Sequence, residues 1–108
     1  MATRIILCTT AQVAGREVRE TLGMVKGNTI RARHIGSDIM SGLKSIVGGE
    51  IKGDVKALAD ARMEAEERML RDAEILGADA IVSVRYATSQ IMNGAAEILV
   101  YGTAVKFR

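Results

Sequence analysis

The segment from Val55 to Leu76 constrains this chain most, because it keeps helical spacing throughout, with Asp54 ahead as an N-cap and Gly77 behind as a stop. In a chain of 108 residues one helix of that length commits most of the single core that can be built. At about 100° per residue, Leu58, Ala61, Ala65, Met69 and Leu76 fall within about 60° of one line. A second apolar patch, Ala59, Met63 and Leu70, lies about 100° to 140° further round, and Arg62 and Glu66 stand between the two. Together they span an arc approaching about 200°, whereas a helix on one sheet needs a stripe little more than about 100° wide. The helix is therefore expected to face its own sheet and a second partner. In so small a chain that partner is another copy. Arg62, Met63, Glu66 and Leu70 are the helix residues placed at such an interface. The opposite arc carries Lys56, Asp60, Glu64, Glu67, Arg68, Arg71 and Glu74, and its Glu64–Arg68 and Glu67–Arg71 pairs have the favourable order.

The rest reads as strands and one short helix. Ile5 to Cys8 is a β-prone apolar run before Thr9-Thr10. A second extended stretch runs from about Glu17 to Val25, and Lys26-Gly27-Asn28 reads as a turn into further extended chain, Thr29 to Arg33. From Ser37 the spacing of Ile39, Met40, Leu43, Ile46 and Val47 predicts a helix of two to three turns, closed by Gly48-Gly49. After Gly77, Ala80 to Ala87 and Glu97 to Phe107 are strands joined across an Asn93-Gly94 turn. In the last of these, Leu99, Tyr101, Thr103, Val105 and Phe107 share one face, and Ile98, Val100, Gly102 and Ala104 the other. Neither face carries charge, which predicts cover on both sides and adds Ile98 and Val100 to the interface candidates. The element order predicts a single α+β domain over residues 1–108, a two-layer subunit with a mostly antiparallel sheet and two helices, one short and one long.

Composition narrows the function classes. There is no Pro, there are 11 Gly, and the only aromatic residues are Tyr86, Tyr101 and Phe107, so small and aliphatic side chains must fill the core. A net charge of +2 is too balanced for a nucleic-acid stripe. Arg16, Arg19, Lys26, Arg31 and Arg33 form a modest basic stretch without stacking aromatics, which reads as a solvated face, so nucleic acid is not an expected partner. One cysteine, Cys8, excludes an intrachain disulfide framework and suits a reducing compartment. The four apolar residues from Ile5 to Cys8 are fewer than a signal-peptide core needs, and no run approaches the roughly 20 of a membrane span, so the cytoplasm is the expected location.

Taken together, Thr9-Thr10, Gly23-Met24-Val25, Asp38, Ile46-Val47-Gly48-Gly49-Glu50, Ala61-Arg62, Gly77-Ala78-Asp79-Ala80-Ile81-Val82 and Tyr101-Gly102-Thr103-Ala104-Val105 resemble the YbjQ family of heavy-metal-binding designation. The motifs span about nine-tenths of the chain in order. The resemblance implies a dodecin-like two-layer subunit assembled as a ring-shaped homopentamer, and a metal as the candidate ligand. The chain departs from the family where relatives carry a Tyr at the start of the long helix and this sequence has Asp54, so that ring's contacts are made differently here.

The candidate metal ligands are Cys8 and His34, the one thiol and the one imidazole. No CxxC or HxxH spacing exists, so a site requires copies of the chain to converge on an axis or interface. Cys8 also reads as a small buried hydrophobe, and Arg31 and Arg33 beside His34 repel a cation. Asp60 and Glu64 are spaced to share a divalent ion but sit beside Arg68 and Arg71, while Met63 and Met69 read as packing residues. Gly48-Gly49-Glu50 lacks the Lys-and-hydroxyl signature of a phosphate loop, and no Ser lies in a Gly-x-Ser-x-Gly context. The leading expectation is a non-enzymatic cytoplasmic homo-oligomer that holds a metal or small ligand between subunits. The alternative is a metal-dependent or thiol enzyme with an intersubunit site, which would need Cys8 and His34 within about 4 Å of each other with further donors around them.

Overall fold

The computed structural model describes residues 4–32 and 52–108. The short helix expected over residues 39–47, the Gly48-Gly49-Glu50 loop and His34 lie outside them. The described elements run in the order β1 (Ile6–Leu7), β2 (Val18–Ala32), α1 (Lys52–Leu76), β3 (Ala80–Met92) and β4 (Ala95–Phe107). They make a four-stranded sheet in the order β1-β3-β4-β2, with β1 parallel to β3 and both other pairings antiparallel. The helix lies on one face, over β2 and β4. The α+β class, the two layers and the mostly antiparallel sheet are as expected.

Helix α1 ends as its sequence dictates. Gly77 takes φ +75°, a left-handed conformation that costs a Gly nothing, and the Ala78 and Gly77 N–H groups donate to the carbonyls of Ala73 and Glu74, each at 3.0 Å. The start differs: the helix begins at Lys52, which puts Asp54 inside its first turn and not at the cap. The buried stripe is also narrower than the sequence arc. Ala61, Ala65, Met69 and Ala73 are fully buried at four-residue intervals, while Leu58 and Leu76 remain exposed.

Strand β2 gives the main correction. Lys26-Gly27-Asn28 is not a turn; β2 is continuous from Val18 to Ala32, with Lys26, Gly27 and Asn28 paired to Tyr101, Val100 and Leu99 of β4. The physical reason is close packing. A Cβ built on Gly27 would overlap the carbonyl oxygen of Ala65 and come within 2.6 Å of the Met69 backbone nitrogen. Glycine is there so that the helix can lie against the strand, not so that the chain can turn. Thr29, two residues on and buried, donates its hydroxyl to the Ala61 carbonyl at 3.1 Å. Further out, Arg31 and Arg68 each hold Glu64 at 2.7 Å, and Arg68 also donates to the Asn28 carbonyl at 2.6 Å.

Strands β3 and β4 are longer than predicted, running out to Met92 and from Ala95 on either side of the Asn93-Gly94 turn. Between Val82 and Arg85 the register slips by one residue, and Ser83 takes φ +54°. The slip changes which side chains face the helix. Ile81 and Val84 both pack in the core under α1, while Val82 packs with Ala80, Val105 and Phe107 in a second cluster on the back of the sheet. Ile6, Cys8 and Val13 from the N-terminal segment cover that second cluster.

The resulting fold is long for its size. Its principal extents are 55 × 26 × 23 Å and its radius of gyration is 17.4 Å, against about 13 Å for a compact domain of this length.

Candidate functional site

Among the described residues two open surfaces remain once the core is accounted for, one on each side of the sheet. On the helix side, α1 covers β2 and β4 and stops short of β3, leaving a step between them. The bulge at Ser83 places Tyr86 on this side, opposite Val100, and its phenol reaches up the step to donate to Glu66 Oε1 at 2.6 Å. Partial burial, most of all, together with the hydrogen bond to Glu66 and that carboxylate's charge, pushes the Tyr86 pKa up to about 12, against a smaller opposing effect of Arg62. Tyr86 is thus a hydrogen-bond donor at neutral pH.

Of the four helix residues placed at an interface from the sequence, Glu66 meets Tyr86 at this step and Arg62 is close enough to act on its phenol, whereas Met63 borders a shallow hollow on the outer arc of the helix with Asp60, Glu64, Glu67, Arg68 and Arg71. Arg62 and Met63 are exposed, Met63 at 59%, and Glu66 and Leu70 are half-buried. The other two do not belong with them. Ile98 and Val100 are 2% and 0% exposed, buried under α1, so they are core residues of this chain and present no surface to a partner. Their face of β4 is covered by the chain's own helix, and the opposite face is covered only near its C-terminal end. There Val105 and Phe107 are buried, while Leu99 is half-buried and Tyr101 exposed. On β2, Asn28 and Lys26 pair with Leu99 and Tyr101, and Met24, at 70% exposure, and Ile30, at 59%, flank them opposite Thr103 and Glu97 on the same face. This is the second open apolar surface.

The metal candidates are placed as follows. Cys8 is half-buried just beyond β1, against the back-face cluster, with its thiol 3.5 Å from the Thr10 carbonyl. Among the described residues no three His, Cys, Asp or Glu side chains come together as a metal would require. Glu64, read with Asp60 as a possible divalent pair, has its two oxygens engaged by Arg31 and Arg68. Tyr86 is the residue that the sequence reading missed. Simple alternation along β3 does not forecast the bulge, and a Ser with positive φ leaves no mark in the sequence.

A long helix laid across a four-stranded mixed sheet defines the class, a two-layer α+β subunit. The same fold occurs in a crystal structure from Pediococcus pentosaceus, described as a protein with unknown function of the DUF74 family. It matches with a TM-score of 0.69 at 18% identity, over 96% of this chain and 98% of that one. The chain belongs to the YbjQ family, whose model, described as "Putative heavy-metal-binding", matches residues 5–108. It is 59% identical over 108 residues to a "UPF0145 protein" of Archaeoglobus fulgidus, covering 100% of both chains. It is 54% identical to one of Thermotoga maritima, over 94% of this chain and 96% of that one.

One consequence of the step is directly measurable. In a Tyr101→Phe background, absorbance titration should show Tyr86 ionising near pH 12, and Glu66→Gln should lower that midpoint toward the ordinary 10.0. Part of the shift will persist because burial is its largest cause. The raised pKa means that Tyr86 contributes stability fully below about pH 10, and that this contribution is lost as pH rises through about 12. An unchanged midpoint in Glu66→Gln would show that the contact does not form.

Proposed function

We propose that the protein is a non-enzymatic cytoplasmic homo-oligomer whose subunits pack head to tail into a ring, a homopentamer, with a metal or small ligand held between subunits. The carrying observation is a pair of unlike surfaces on opposite sides of one thin subunit, each with exposed apolar side chains among polar ones. One is the back of β2 and β4, with Met24, Ile30, Leu99 and Tyr101; the other is the outer side of α1, with Arg62, Met63, Glu66 and Leu70. A two-fold dimer pairs a patch with itself, whereas a ring joins one patch to a different one, and two unlike patches suit the ring. The elongated shape supports the same reading. No helix among the described residues is long and apolar enough to cross a membrane.

The metal half of the proposal draws on the family description and on Cys8 and His34. A ring repeats each residue once per subunit, so a thiol that is isolated in one chain gains further donors at an interface. Elemental analysis of purified protein tests this. The expected result is a stoichiometric metal that is lost in Cys8→Ala and in His34→Ala. Metal-free protein, or metal retained in both variants, would overturn it.

A further inference from the structure

We infer that the groove between residues 11–18 and the back of β3 and β4 is a binding site for a small molecule with an apolar body and an anionic end. The groove is open to solvent along one side and has a volume of about 590 Å³, within the usual range for small-ligand sites. Val13, Val82 and Val105 supply apolar lining, and the hydroxyl residues Ser83 and Thr103 line the groove as well. Ser83 is there because of the bulge, at the single positive φ held by a non-glycine residue among those described. Local strain retained at a pocket wall is a common mark of a functional position.

The charge at the rim sets the ligand class. Arg16 lines the groove with its guanidinium 4.1 Å from the centre of the Phe107 ring, which holds the cation in place without neutralising it. The neighbouring carboxylate, Glu17, which also lines the groove, is paired with Arg108 at 3.2 Å. A guanidinium held at the rim of this groove selects a carboxylate or similar oxyanion over an amine, and the valines select a short aliphatic chain behind it. This site lies at the covered end of the back face, where Thr103 pairs with Met24 of β2, and at the opposite end of that face from Ile30. It does not depend on the metal proposal or on the ring.

The test uses hexanoate, hexylammonium and 1-hexanol as probes, followed by backbone amide shifts of the full chain. Hexanoate should move the amides of Val13, Ser83 and Thr103 saturably and bind at least about tenfold more tightly than hexylammonium, the discrimination expected of one charge-assisted contact. Arg16→Gln should weaken hexanoate by about the same factor and leave 1-hexanol unchanged, and Arg16→Lys should restore part of the loss. Equal binding of hexanoate and hexylammonium by the wild type would overturn the assignment, whatever the variants do. So would groove amides that respond to protein dilution but not to hexanoate, because the groove would then be a contact between copies.

Discussion

Gly27→Ala should destabilise the chain by more than about 3 kcal/mol, at or beyond the upper end of what overpacking a core usually costs. The added Cβ has no rotamer by which to escape. It would overlap the Ala65 carbonyl oxygen and stand 2.6 Å from the Met69 nitrogen, both backbone atoms of α1. Relief requires lifting the helix from β2, which loosens Ala61, Ala65, Met69 and Ala73 together, all of them fully buried. Intrinsic preference acts the other way, since Ala is better than Gly inside a strand by roughly 0.5–1 kcal/mol. The sign of the change is therefore diagnostic. Thermal unfolding should show a fall of more than about 10 °C, taking about 4 °C or more per kcal/mol for a domain near this size. Ala65→Leu, overfilling the same contact from the helix side, should cost about 1 to 3 kcal/mol. Lys26→Ala, on the exposed neighbour, should stay within about 0.5 kcal/mol. A melting temperature for Gly27→Ala equal to or above that of the wild type would show that α1 does not lie on Gly27.

Met24→Asp and Met63→Asp should each dissolve the assembly while leaving the subunit folded. Both side chains are more than half exposed in the single chain, at 70% and 59%, so a carboxylate at either position meets water in the monomer and little stability is lost. In the proposed ring each position would be covered by a neighbour, and an unpaired carboxylate there would cost several kcal/mol. A penalty of about 3 kcal/mol per interface weakens association by roughly a hundredfold or more. A head-to-tail arrangement adds a sharper expectation. Every interface of the proposed ring would use the back of one subunit and the helix side of the next, so either variant alone would suffice. Mixing the two variants should restore only a single good interface per pair and give dimers. Sedimentation velocity on each variant and on the mixture checks all three outcomes, and a wild-type sedimentation coefficient in both variants would remove these surfaces from the interface.

How much of this was legible in the sequence differs from element to element. The long helix, its Gly77 stop and the Asn93-Gly94 hairpin follow from local signals, because capping and tight turns are decided by a few neighbouring residues. Gly27 was misread for the opposite reason. A glycine between polar residues looks the same whether it turns the chain or admits a helix 38 positions away at Ala65, and only tertiary packing separates the two. The small residues Ala61, Ala65 and Ala73 carried half of that information, since a helix lined by alanine needs a strand that lets it approach. The site was partly legible. Helical phase leaves Arg62 and Met63 exposed and Glu66 and Leu70 half-buried outside the core stripe, whereas Ile98 and Val100 lie in the core, because a two-sided apolar strand does not reveal which side its own helix takes. Tyr86 reaches Glu66 only through the one-residue slip at Ser83, which no periodicity announces.

The central claim is that neighbouring copies complete the burial of this subunit, and native mass spectrometry of the wild-type protein tests it most directly. The account predicts one dominant closed species at five times the 11.6 kDa chain mass, replaced by the 11.6 kDa chain in Met24→Asp. A wild-type spectrum dominated by the 11.6 kDa monomer at micromolar concentration would contradict it.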